Sequence, residues 1–191
     1  GALNATLTIN GKAAHSARPW VGDNPIYKIK DVIKLVEDNE INEIEIDGLN
    51  FKQVMSITKI SSGIANNVIP ETLKLNLNFR YSPELNGAQA SSFINDLFPD
   101  TVEVEILNTS DGAMPNKSDE KVSEFIKTTG AIVQPKQAWT DIARFYEHKI
   151  PSLNFGPGDP LLAHATNEHI SKKQLLESYE LLSSYLGAKI E

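Results

Sequence analysis

At 191 residues with 40% hydrophobic side chains, the chain can bury a real core, either as one larger domain or as two small ones. Its 18 basic and 25 acidic residues leave a formal charge of −7, which argues against a general nucleic-acid surface, because phosphate binding asks for a concentrated basic face. With no cysteine, disulfide scaffolds, thiolate zinc sites and cysteine nucleophiles are excluded, so any metal has to be held by histidine and carboxylate.

No apolar run approaches a membrane span and the N-terminus lacks a basic-then-apolar signal pattern, so the expectation is a soluble, cytoplasmic protein. Leu3 to Ile9 alternates apolar and polar, the signature of a strand with one buried face. Asp23, with Pro25 behind it, reads as the cap of an amphipathic helix to about Asp38 carrying Ile26, Ile29, Val32, Ile33 and Val36 on one side. Strands follow at Glu43 to Ile46, Gln53 to Ile60 and Thr72 to Tyr81. A helix from Gly87 to Phe98, stopped by Pro99, and a strand through Val102, Val104 and Ile106 complete the first part. The order β-α-β-β-α-β with one extra short strand predicts an α/β (α+β) fold: a ferredoxin-like sheet with two helices on one face, spanning 1–108.

Beyond Asn108 the polar, glycine- and proline-containing stretch to Lys117 reads as a boundary to a second part, 109–191. Ser118 is expected to start a helix through about Thr128. Ile132-Val133 and Ser152 to Phe155 read as short strands, Thr140 to His148 as a helical turn, and Ser171 to Leu186 as a helix. Two short strands fall below what usually supports an independent α/β layer.

Four histidines are candidates for chemistry. His164 follows Gly156-Pro157-Gly158-Asp159-Pro160, where the backbone must turn, and Glu168 lies four residues on; a stiffened loop after an apolar run is a usual place for a metal ligand or acid–base group. His15, in A-A-H-S-A-R-P-W, reads by spacing alone as a surface-loop histidine, and His148 and His169 as helix-end residues. Arg80 sits on the strand face opposite Phe79 as either a cross-strand ion-pair partner or a carboxylate clamp, to which its bidentate fork is suited. Asn66-Asn67 before Val68-Ile69-Pro70 is one amide more than turn chemistry requires. Gly156-x-Gly158 is too short for a nucleotide fingerprint.

G-K-A-A-H-S-A-R-P-W-V-G-D-N at 11–24, N-N-V-I-P at 66–70, N-F-R-Y at 78–81, W-T-D-I-A-R-F at 139–145 and N-F-G-P-G-D-P running on to His164 form an ordered set along nearly the whole chain. In that order they resemble the succinyl-diaminopimelate desuccinylases, most closely the actinobacterial type, within the aminoacylase/carboxypeptidase superfamily of di-zinc amidohydrolases. The resemblance implies a lid and dimerisation domain followed by the last part of a catalytic domain. It implies that His164 is a ligand of one of two zinc ions, with cobalt able to replace zinc, and that Glu168 supports the metal-bearing loop. It further implies that His15 reaches into the active site of a second subunit to stabilise an oxyanion. Arg80, Asn66 and Asn67 would hold substrate carboxylate and amide groups, and Thr140 and Arg144 would line the pocket.

The expected reaction is hydrolysis of N-succinyl-LL-2,6-diaminopimelate to succinate and diaminopimelate, for lysine and diaminopimelate biosynthesis, by a homodimer without nucleic-acid or membrane partners. In the family the other zinc ligands, and the Glu that activates water, come from an N-terminal half that has no counterpart here; these 191 residues are therefore expected to be inactive alone. Another deacylase or peptidase of the superfamily (acetylornithine deacetylase, aminoacylase or dipeptidase) stays open as an alternative, as does a non-catalytic dimerisation module.

Overall fold

The computed structural model describes residues 1–187. Its residues divide into two compact units: Gly1–Met114 with Pro135–Ala143, and Pro115–Gln134 with the described residues from Arg144 on.

In the first unit, β1 (Ala2–Asn10) buries Leu3, Ala5, Leu7 and Ile9 and turns its even-numbered residues to the other face. The two-residue β2 (Ala14–His15) lies in the loop that leads to α1 (Pro25–Asp38). Then come β3 (Ile41–Ile46), β4 (Leu49–Ser62), the short β5 (Val68–Ile69), β6 (Thr72–Arg80), α2 (Gly87–Leu97) and β7 (Val102–Ser110). The main sheet runs β3-β4-β6-β1-β7 with every neighbouring pair antiparallel. Two strand–helix–strand units, β1–α1–β4 and β6–α2–β7, interleave in it, which is the ferredoxin-like arrangement. The extra strand β3 is folded onto β4 by the two-residue turn Asp47-Gly48, whose φ values of 52° and 69° suit the right-handed twist of a hairpin.

Both helices serve one core. Val32 and Val36 of α1 and Ala90 and Ile94 of α2 pack with the odd-numbered leucines of β6 and the buried face of β1. Asn86 and Gln89 close a reciprocal capping box on α2. On α1 the cap is Asn24, whose Oδ1 accepts from the Ile26 N–H at 3.0 Å, and not Asp23 as the sequence suggests. Asp23 is engaged elsewhere: its backbone exchanges two hydrogen bonds with Lys12, and its carboxylate pairs with Lys28.

The second unit contains α3 (Glu120–Thr129), α4 (Ile142–Glu147, cut by the division after Ala143) and α5 (Lys172–Tyr185). Asp119, rather than the expected Ser118, caps α3, accepting from the N–H groups of Lys121 and Val122. The Phe125 ring meets Phe155 and Tyr185 edge-on, with centroids 5.1 and 4.9 Å away. The strands expected at Ile132-Val133 and Ser152 to Phe155 do not form; both stretches are irregular backbone. A strand exists only where a neighbour takes its N–H and C=O groups, and apolar composition by itself supplies no such neighbour.

Candidate functional site

The loop from Gly11 to Asn24 is tied down along its length. The Gly11 N–H donates to Glu71 O at 2.8 Å, Lys12 and Asp23 form a bridge, and β2 pairs with β5 so that Ala14 faces Ile69 and His15 faces Val68. Gly22 is needed because a Cβ there would lie 2.6 Å from the Ala14 Cβ and 2.9 Å from Lys12 O. The Ser16 N–H then donates to Asn67 O at 2.9 Å. His15 and the Asn66-Asn67 pair, 51 positions apart by numbering of His15 and Asn66, are thereby neighbours on one small ribbon.

The His15 ring is exposed, and its Nδ1 accepts from the Ala17 N–H at 3.1 Å. In the neutral ring this leaves the proton on Nε2, a donor fit for a carbonyl oxygen that gains negative charge.

Arg80 stands at the other end of β6. Thr72 to Arg80 spans about 27 Å at the usual rise per residue, and the β2–β5 ribbon lies beyond the Thr72 end. Within one copy, then, the structure brings His15 and Asn67 together and keeps Arg80 away from both. Arg80 is half-buried on the sheet face opposite the helices, and its Nε donates to Asn78 Oδ1 at 3.1 Å. Asn78 Nδ2 donates to Asn4 Oδ1 at 2.9 Å, and Asn4 Nδ2 to Asn108 Oδ1 at 3.1 Å. Asn4 belongs to none of the motifs and Asn78 enters only as the first residue of N-F-R-Y, with no role read for it; the available signal was that both occupy even-numbered positions facing each other across β1 and β6. Beside them Tyr81 is buried, with its hydroxyl 3.0 Å from Ser110 O and 3.1 Å from Asp111 Oδ1; burial first, and then the Asp111 carboxylate, push its ionisation well above the ordinary tyrosine range.

Thr140 precedes α4 and its carbonyl accepts from the Ala143 N–H at 3.1 Å; Arg144 is exposed on that helix. The two fall on opposite sides of the division between the units. In the same first unit as Thr140, Trp139 Nε1 donates to Asp111 O at 3.1 Å, so the aromatic of W-T-D-I-A-R-F is fastened just beyond the end of β7.

In the second unit Asp159 Oδ1 caps the short turn Pro160–Leu162, accepting from the Leu161 N–H at 2.9 Å. His164 follows with a left-handed backbone, φ 66°, and Glu168 Oε2 accepts its N–H at 3.0 Å. The carboxylate thus braces the backbone that carries the imidazole. Among the described residues no three His, Cys, Asp or Glu side chains cluster as a metal site. Zinc does not fit this chain's described residues by themselves, since a catalytic zinc needs about three protein ligands and His164 offers one.

A family model described as the peptidase dimerisation domain matches residues 1–104. The succinyl-diaminopimelate desuccinylase of Corynebacterium glutamicum is 35% identical over 192 residues, covering 98% of this chain and 52% of its own length. A relative from Mycobacterium tuberculosis is 34% identical over 188 residues, again 98% of this chain and 53% of its own. The chain spans about half the length of the curated relatives it matches. Among solved structures, an aminopeptidase of Bacillus cereus shares the fold with a TM-score of 0.68 at 18% identity, over 98% of this chain and 51% of that one. Among the described residues no helix is long and apolar enough to cross a membrane.

Proposed function

The chain belongs to the M20 peptidase dimerisation-domain family, and on that premise we propose that it serves as the self-associating, substrate-gripping portion of a succinyl-diaminopimelate desuccinylase. The substrate is N-succinyl-LL-2,6-diaminopimelate, cleaved by water to succinate and diaminopimelate. The desuccinylase name of the Corynebacterium relative supports this choice over other amide hydrolases of the family.

One observation carries the reading: His15 and Asn67 share one ribbon, while Arg80 lies at the far end of β6. A molecule the size of acyl-diaminopimelate cannot reach across about 27 Å. A centre that uses both ends therefore draws His15, Asn66 and Asn67 from one copy and Arg80 from another, as a two-fold dimer allows. In that centre the Nε2–H of His15 donates to the oxygen of the succinyl carbonyl as charge develops on it, and the Asn66 and Asn67 amides hold the polar groups beside it. The Arg80 fork grips a substrate carboxylate. His164, whose backbone Glu168 braces, would supply one ligand to a zinc ion, which would polarise the scissile carbonyl. Residues 1–108 act as lid and dimerisation domain and 109–191 as part of the catalytic domain.

The test is complementation in the complete enzyme. His15→Ala and Arg80→Ala are each expected to be severely impaired. Mixed and allowed to exchange subunits, they form hybrids with one intact centre, and the random mixture, assayed well below KM, recovers about a quarter of the wild-type rate. A mixture no better than the mean of the two variants would overturn the shared centre. A panel including N-acetylornithine, N-acyl amino acids and dipeptides is expected to give its highest kcat/KM on the succinyl substrate; preference for any other member would replace the desuccinylase reading.

A further inference from the structure

The side of the main sheet away from the helices carries a row of amides that crosses three strands and ends on Arg80: Asn108 on β7, Asn4 on β1, Asn78 on β6. Arginine can only donate, so the Asn78 atom facing Nε has to be its oxygen. The Asn78 amide nitrogen then faces Asn4, which must answer with oxygen, and the Asn4 nitrogen in turn faces Asn108 oxygen. Every amide in the row is thus oriented from the arginine outward, and each bond polarises the next in the same sense. The register leaves no slack, for Asn4 pairs with Asn78 on one side and with Asn108 on the other, just before the irregularity between Asn4 and Ala5 on the β7 side. Asn4 and Asn78 are half-buried, so neighbours restrict their rotamers.

The row engages only Nε. Among the described residues neither terminal nitrogen of Arg80 has a hydrogen-bond or ion-pair partner. An arginine tethered at Nε and open at both Nη groups presents a planar, pre-oriented fork, and less rotamer entropy is lost when a carboxylate docks. We propose that Asn78, backed by Asn4, is the positioning residue of Arg80, setting the fork for a carboxylate-bearing substrate. Asn78 touches no substrate; it acts through the guanidinium. The inference rests on Arg80 being the carboxylate clamp of the proposed function.

Steady-state kinetics of the complete enzyme on N-succinyl-LL-2,6-diaminopimelate separates the two. Asn78→Ala is expected to raise KM about tenfold while kcat stays within about twofold, because what is lost is the readiness of a ground-state contact. In an Arg80→Ala background the same substitution is expected to add nothing to KM, an outcome that a merely structural role would not produce. If Asn78→Ala fails to fold, Asn78→Ser, too short to reach Nε, carries the same expectation. Should Arg80→Ala raise KM while the Asn78 variant keeps the wild-type value, or should the two effects add in full, the positioning role is overturned and the clamp survives. An unchanged KM in Arg80→Ala would instead remove the clamp, and the role of Asn78 with it. Independently of activity, the Arg80 Nε–H resonance of this chain is expected to exchange faster with water in Asn78→Ala; an identical, equally protected signal overturns the tether itself.

Discussion

His15 and Tyr81 illustrate how much a single side chain owes to its backbone surroundings. The imidazole is held as the Nε2–H tautomer by the Ala17 N–H, a bond that depends on the tight turn after β2. Since the ring is exposed and packs no core, His15→Ala is expected to leave thermal stability unchanged while lowering turnover of the complete enzyme about 10²–10³-fold, the usual cost of one oxyanion donor. Turnover close to wild type would remove His15 from the centre. Tyr81 gives a pH dependence whose sign follows from its raised ionisation. The folded state holds the phenol neutral, whereas the unfolded chain ionises it near pH 10. Its contribution is therefore complete below about pH 10 and is lost as the pH rises beyond that. Denaturation midpoints of the wild type are expected to fall more steeply above pH 10 than those of Tyr81→Phe, which itself loses about 1 kcal/mol at neutral pH for the missing hydrogen bond. Parallel curves would count against the buried phenol. The same scale shows a limit of sequence reading. Asn24 and Asp23 are both good caps by residue type, and the choice between them was made by Lys12, whose backbone had already claimed Asp23.

At the level of elements, periodicity was the reliable guide. The leucines of β6 and the alternation in β1 are both visible without coordinates, because a sheet that is covered on one face imposes a two-residue repeat on its strands. The two-residue hairpin β3–β4 was not read from the sequence, although the Asp47-Gly48 dipeptide carries its signal, and β4 runs from Leu49 to Ser62, longer than the expected Gln53 to Ile60, because β3 and β6 are there to pair with it. Ile132-Val133 and Ser152 to Phe155 failed for the converse reason, as apolar stretches without a strand beside them. Gly22 belongs at this scale, since its backbone is ordinary extended geometry and only the approach of β2 excludes a side chain. Gly22→Ala is expected to force the Ala14 strand off β5 and to cost about 1–3 kcal/mol in denaturant unfolding. No loss of stability, with His15 function intact, would mean that the loop yields without cost.

For the molecule as a whole, the family match at residues 1–104 makes self-association the property to measure first. Sedimentation of this chain is expected to give a dimer, and a monomer at every concentration would oppose both the dimerisation role and the two-copy centre. The motif set from Gly11 to His164 already identified the family and named His15, Asn66, Asn67, Arg80, Thr140, Arg144, His164 and Glu168 as candidates. Chain order also sufficed for the fold of the first unit, because hydrophobic period and turn residues are local properties written along the chain. Which candidates keep company was decided by the tertiary structure: His15 with Asn67 through a ribbon two residues long, and Arg80 apart from His15 by the length of a strand, bonded to Asn78 on its own strand, which is bonded in turn through Asn4 on β1 to Asn108 on β7. The cross-strand neighbours are set by strand register and sheet order, which join residues far apart in sequence and which no local pattern can encode, whereas Glu168, four residues from the His164 backbone it braces, was already within local reach.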